Sequence, residues 1–223
     1  MRSMRIPSRI KTPPVNGYSV WRSAGSSTAR YVNGNNVWLT ELTVIQLRVN
    51  QAGELAAVLI YAAQNPILVR QHPDLKSLMQ HMYDQEAGHF KTFNELLAKH
   101  RIRPTAMQPI WTIAASALGW STAMMGREAA MACTEAVETE IGEHYNNQVC
   151  VLLEWAKDLE TKGEVLGDEM QELLVTLRRI RDEELEHLDH AVANDAKEAK
   201  PYELLTNIIR GGCRGAIWVS ERI

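Results

Sequence analysis

The sequence predicts an all-α protein, and three observations carry that prediction. Long stretches run without glycine or proline, and Ala and Met are plentiful while aromatic residues make up only 6%. No segment alternates apolar and polar residues with the period of two that a half-buried strand needs. At 223 residues, 45% apolar and 23% charged, the chain can bury one core of ordinary size.

Residues 1–40 stand apart from the rest. They contain Arg2, Arg5, Arg9, Lys11, Arg22, Arg30 and several serines, but no Asp or Glu. That is the composition of a mitochondrial transit peptide; Pro13, Pro14 and the glycines leave a disordered basic tail as the other reading. An apolar core of the secretory kind is missing. All 27 acidic residues therefore fall in residues 41–223, the expected folded domain, and so acidic a body disfavours nucleic acid as a partner.

The helices follow in order. Residues 42–64 are largely apolar and form a first helix, which Asn65-Pro66 is expected to end. Pro73-Asp74 opens a second, running to about His100 with Leu75, Leu78, Met79 and Met82 on one stripe. Between Pro104 and Gly126 no residue is charged. The stretch is long enough to cross a bilayer, yet Gln108, Thr112, Ser116, Ser121 and Thr122 dilute it, and Pro109 and Gly119 interrupt it. A buried crossover, an interfacial membrane segment and a true span are all open. A third core helix runs from Arg127 to about Trp155, residues 157–168 read as a polar loop, and a fourth covers Glu169 to about Ala196. Pro201 starts a last amphipathic helix whose apolar end holds Ile208, Ile209, Ile217 and Trp218. Cys133, Cys150 and Cys213 are widely spaced without a C-x-x-C pair, so they read as structural thiols in a reducing compartment.

Chemistry enters through a repeated pattern. Residues 84–89 (DQEAGH) and 182–187 (DEELEH) both read D-x-E-x-x-H. Glu and His three apart share one helix face, so each pair can grip one metal ion. One such pair is ordinary helix surface. However, a lone Glu precedes each copy on an apolar helix: Glu54 among Ala52, Leu55, Ala56 and Val58, and Glu138 among Ala132, Ala136, Val137 and Ile141. Buried carboxylates are costly unless paired or metal-bound. Glu54, Glu86, His89, Glu138, Glu184 and His187 together make the ligand set of the carboxylate-bridged di-iron bundles. The fold class narrows accordingly to a ferritin-like four-helix bundle, with the uncharged crossover and the C-terminal amphipathic helix added.

Other residues are weaker candidates. Tyr61 and Tyr145 each lie seven residues, about two turns, after Glu54 and Glu138 and share that face. They serve either to bond a ligand or as core aromatics. His144, beside Tyr145, is placed with Tyr145 as a candidate catalytic residue. Asp84 and Asp182 either orient a ligating histidine from a neighbouring helix or are solvated, and Glu140, Glu143, Glu183 and Glu186 read as solvated carboxylates.

The segments QAGE at 51–54, DQEAGHFKTFNEL at 84–96, RPTAMQPIW at 103–111, GREAAMACTEAVE at 126–138, HYNNQ at 144–148, RDEELEH at 181–187 and CRGAIWVSERI at 213–223 resemble the 5-demethoxyubiquinone hydroxylase family. The similarity covers about residues 42–223. It departs at Asn50, Gln51 and Ala56, and in a longer loop before RDEELEH. The resemblance implies a mitochondrial di-iron monooxygenase of ubiquinone biosynthesis, using two Fe ions, O2 and NADH-derived electrons to hydroxylate the ring of a demethoxyubiquinone-type lipid. It implies Glu86 and Glu184 as bridges. It also implies a peripheral position on the matrix face of the inner mitochondrial membrane, and work with other ubiquinone-biosynthesis proteins, including a lipid-binding accessory protein. The insoluble tail requires entry from lipid, for which residues 104–126 and the last helix are candidates, with Arg210 and Arg214 near headgroups. The same ligand set also allows a ferroxidase or iron-storage protein, a membrane quinol oxidase, or a non-enzymatic lipid-presenting protein with a structural metal.

Overall fold

The computed structural model describes residues 30–31, 38–39 and 41–223. Six helices carry the fold: α1 (Glu41–Gln71), α2 (Lys76–Lys99), α3 (Gln108–Met125), α4 (Arg127–Thr161), α5 (Asp168–Ala193) and α6 (Tyr202–Ser220). Two single turns of 3-10 helix, Pro73–Leu75 and Ala196–Glu198, lie at α1–α2 and α5–α6. Strands β1 (Arg30–Tyr31) and β2 (Trp38–Leu39) form a two-residue antiparallel ladder, Arg30 opposite Leu39 and Tyr31 opposite Trp38. They fall inside the expected leader, whose other residues lie outside the described ones.

The bundle proper is α1, α2, α4 and α5, and side-chain bonds fix its register. Gln51 donates to Asn94 at 3.1 Å, setting α1 antiparallel to α2 together with Tyr61 against Met82. Asn50 meets Gln148 while Gln64 reaches Ala130, so α1 and α4 also run antiparallel. Helix α3 is the crossover between the two pairs and lies along α1; α6 packs on α4. This is the ferritin-like four-helix arrangement expected from the ligand pattern.

Three boundaries differ from the sequence reading. Asn65-Pro66 does not end α1, which runs on to Gln71 with Pro66 inside it. A helical proline costs about 3 kcal/mol; here the turn beyond it buries Leu68 completely and packs Ile67 and Val69 on the core, which offsets that cost. Helix α4 continues through residues 157–161, shortening the polar loop. Gly119, read as an interruption, lies within α3. A Cβ there would meet the Ile60 carbonyl oxygen at 2.5 Å, so glycine is what lets α3 close on α1.

Among the described residues apolar side chains gather in three clusters, one of them between α1, α3, α4 and α6 and the other two at either end of the bundle. Tyr61, Met82, Met131 and Ala191 belong to one end cluster, and Leu47, Phe93, Tyr145 and Ile180 to the other. Each of the four helices gives at least one residue to each of these two clusters. The acidic and imidazole side chains of the pattern lie in sequence between those two positions on every helix, so the polar layer is closed at both ends by packed hydrocarbon.

Candidate metal centre

The six predicted residues converge. Glu54, Glu86, His89 and Glu184 offer ligand atoms all within 4.8 Å of one another, and so do Glu86, Glu138, Glu184 and His187. Glu86 and Glu184 belong to both groups. His89 Nδ1 lies 3.4 Å from Glu54, 3.8 Å from Glu86 and 3.1 Å from Glu184, while His187 Nδ1 lies 2.9 Å from Glu86 and 3.4 Å from Glu184. All six are at most 1% exposed.

The donor atoms are bare. One oxygen of Glu54 and of Glu138, both oxygens of Glu86 and Glu184, and Nδ1 of both histidines have no hydrogen bond of proper geometry. Buried polar atoms are normally partnered, and these all face one point. Four carboxylates and two neutral imidazoles balance two divalent cations, and an oxygen-rich set with one imidazole per ion suits iron or manganese. The residues therefore fit such a pair of ions.

Without a cation the electrostatics are unfavourable. Burial pushes the carboxyls of Glu54 and Glu138 above the usual range, Glu138 further under the charges of Glu184 and Glu86. Burial alone would lower both histidines; the carboxylates around them win, raising His89 strongly and His187 to about 9. Such groups hold protons where a cation would neutralise the same charge.

The outer contacts cross between the halves. Tyr61, on the helix of Glu54, donates to Glu138 at 3.0 Å, and Tyr145, on the helix of Glu138, donates to Glu54. Burial, then these carboxylates, pushes both phenols well above their ordinary value. His89 Nε2 meets Glu183 at 2.6 Å and His187 Nε2 meets Gln85 Oε1 at 2.9 Å. The residue before each Glu thus holds the other helix's histidine. This replaces Asp84 and Asp182, which instead take bonds from Gln80 and Arg181. The sequence alone presents Glu183 as a solvated carboxylate; the signal that finds it is the antiparallel packing of α2 and α5, which sets position i−1 of one motif beside the histidine of the other.

His144 lies outside the cluster. Its Nε2 is 3.1 Å from Asn50 Oδ1, within a network where Asn50 and Gln148 exchange two bonds, and removal from water lowers its pKa to about 4. Glu140 is likewise not solvated: it is 4% exposed and ion-paired to Arg210 at 2.6 Å and Arg214 at 3.5 Å. Cys133 is fully buried, whereas Cys150 and Cys213 are partly exposed.

On the other side of α1 and α4 lies an apolar cavity of about 290 Å³, walled by α1, α3, α4 and α6. Gly53, Ala56, Trp111, Val137 and Ile209 are among its lining residues. Trp111 Nε1 donates to Ser220 at 2.9 Å and ties α3 to α6 at its edge. The outward faces of these two helices expose Ile113 (72%), Ile208 (64%), Leu204, Trp120 and Trp218. Among the described helices, the one long and apolar enough to cross a membrane is α1 over Thr43–Gln71, and it is the bundle helix that carries Glu54.

The chain is similar to known proteins over most of its length. The family model described as "Ubiquinone biosynthesis protein COQ7" matches residues 42–220. A Saccharomyces cerevisiae protein named "5-demethoxyubiquinone hydroxylase, mitochondrial" is 47% identical over 178 residues, 79% of this chain and 76% of its own. A Homo sapiens protein named "NADPH-dependent 3-demethoxyubiquinone 3-hydroxylase, mitochondrial" is 45% identical over 177 residues, with the same coverage of each. A Rhodospirillum rubrum protein named "3-demethoxyubiquinol 3-hydroxylase" is 42% identical over 177 residues, again covering 79% and 76%.

Proposed function

Because the chain belongs to the COQ7 family of ubiquinone biosynthesis proteins, we propose that its buried carboxylate–imidazole cluster binds two iron ions and serves a ring hydroxylation with O2. The chain is a hydroxylating enzyme of ubiquinone biosynthesis that acts on a demethoxyubiquinone intermediate. The observation that carries the metal reading is that two four-residue ligand groups share Glu86 and Glu184. When bound, a pair of irons supplies the redox chemistry that activates dioxygen. Electrons come from a reduced nicotinamide. The family resemblance implies NADH, whereas the names of the mammalian relatives specify NADPH, so both belong in the assay.

The protein's own part is geometric. Glu86 and Glu184 hold the two halves together, Glu54/His89 and Glu138/His187 complete them, and Tyr145 and Tyr61 orient the outer carboxylates. The apolar clusters at either end exclude water. The cavity behind α1 and α4 is walled almost wholly by hydrocarbon, which suits an isoprenoid lipid and has no use in a ferroxidase. Its walls α3 and α6 expose the apolar faces by which the enzyme would lie on a membrane and admit the lipid. Placement on the matrix side of the inner mitochondrial membrane, with a lipid-binding accessory protein, completes the reading. The yeast and mammalian relatives are named mitochondrial.

The test is anaerobic loading with Fe(II), Mössbauer spectroscopy, and a single turnover with 18O2, a short-tail demethoxyquinone and NADH or NADPH in parallel. Two irons per chain and one labelled oxygen on the ring are expected. One iron or none would remove the mechanism. Label found only in water would point to a quinol oxidase, and iron oxidation with the quinone unchanged to a ferroxidase.

A further inference from the structure

The two halves of the centre repeat each other closely. Each has one terminal Glu, one His from a Glu-x-x-His pair, one tyrosine hydroxyl on the terminal Glu, and a share of Glu86 and Glu184. They differ in the chemistry of the residue behind each imidazole. His89 backs onto a carboxylate, Glu183, at 2.6 Å; His187 backs onto an amide, Gln85, at 2.9 Å.

We propose that Glu183 makes the Glu54/His89 position the tighter of the two metal sites, and that Gln85 leaves the Glu138/His187 position the weaker. This rests on the metal-binding reading above. An imidazole whose Nδ1 faces a cation keeps its proton on Nε2 and donates it outward. A carboxylate accepts that proton in a charge-assisted bond roughly twice as strong as a neutral one. The stronger acceptor moves electron density toward Nδ1 and makes His89 the better donor. An amide oxygen orients His187 equally well but adds no charge. Glu183 is held in place by Arg179 at 2.7 Å, one turn before it on α5. That guanidinium is half-exposed, so water screens it, while the Glu183–His89 contact is nearly dry on the imidazole side. A tyrosine hydroxyl and the two shared glutamates occur in both halves, whereas the carboxylate behind the imidazole occurs in one.

The test is a Co2+ titration of the metal-stripped full chain against a competing chelator, with thermal melts as a check on folding. Glu183→Gln should weaken the tighter step by about tenfold or more and spare the other. His89→Ala should abolish the tighter step and His187→Ala the weaker one. In the double exchange Glu183→Gln/Gln85→Glu the order should reverse, so that His187→Ala now abolishes the tighter step. Two Co2+ bound with steps indifferent to either exchange would overturn the ranking while leaving the metal reading intact. No uptake of Co2+ by the folded wild-type chain would sink both.

Discussion

Removing the metal should reverse how stability depends on pH. In the stripped protein His187 is raised from 6.5 to about 9, burial being outweighed by Glu184 and Glu86, and burial raises Glu54 and Glu138. A raised histidine contributes stability that is complete below the unfolded value of 6.5 and is lost as pH climbs through the folded value. Raised carboxyls work in the same direction, since the folded chain holds protons that the unfolded chain has released. For His187 alone, a rise from 6.5 to about 9 is worth roughly 3 kcal/mol. In a chain of this size that lowers Tm by roughly 6–12 °C between pH 6.5 and 9. With a cation bound the same ligands are already deprotonated, and protons compete with the metal at the acid end, so stability should be level or rise over the window. Thermal unfolding followed by circular dichroism, with EDTA and with Mn2+, measures both curves. Their difference cancels titrations elsewhere. A constant difference from pH 6.5 to 9, or a stripped protein that gains stability with pH, would refute the electrostatic account of the centre.

Three further outcomes follow from the packing. Gly119→Ala should cost about 1–3 kcal/mol in urea unfolding despite alanine's better helix propensity, because the added carbon meets backbone of Ile60 at 2.5 and 2.8 Å and α3 must move off α1. Gly53→Leu should leave stability unchanged or higher, since an added Cβ there meets nothing within 4 Å, while kcat/KM falls for long-tail and short-tail quinones alike, because the side chain fills the cavity beside the seam. Arg210→Met should destabilise by about 1–3 kcal/mol by leaving Glu140 with Arg214 alone, and Glu140→Met added to it should recover most of that loss in the same unfolding assay.

Much of this was legible in the residues, for a physical reason. Glu54 and Glu138 announce themselves because a carboxylate among alanines, leucines and valines has no cheap explanation but a cation. The Glu-x-x-His pairs fix their own face by helical period, so the six-residue convergence needed only four helices to pack. What stayed hidden depends on the relation between helices. Gln85 and Glu183 sit off the ligand face of their own helices and look like surface, and only the antiparallel register of α2 on α5 brings each to the other's histidine. Glu140 is two residues from Glu138 and looks solvated until α6 covers it with Arg210 and Arg214. Pro66 is a stop signal that local propensity reads correctly, and the burial of Leu68 beyond it overrides. The two-residue ladder at Arg30–Tyr31 and Trp38–Leu39 carries no periodicity that a sequence could show.

The same layer of the bundle, α1 with α4, explains why α3 and α6 are as apolar as they are. Consecutive residues on a helix diverge by about 100°, and here neighbours face opposite tasks. Glu54 faces the metal cluster while Gly53 lines the cavity; Glu138 faces the cluster while Val137 lines the cavity. On the proposed function, the cavity and the metal cluster are therefore separated by one helix layer, and the seam between α1 and α4 is the path that joins them. Those helices touch each other far less than α1 touches α2 or α4 touches α5, and the α1 side of the cavity includes the small residues Ala52, Gly53 and Ala56 between Val49 and Ile60. A cation on α3 or α6 pointing into that space would be buried without a partner, because the cavity is lined almost wholly by hydrocarbon. The pair of arginines that does approach from α6 is taken up by Glu140, which keeps their charge off the seam. The chargeless run from Pro104 to Gly126 supplies part of the cavity's hydrocarbon wall through Trp111, Ala114, Ala115 and Leu118.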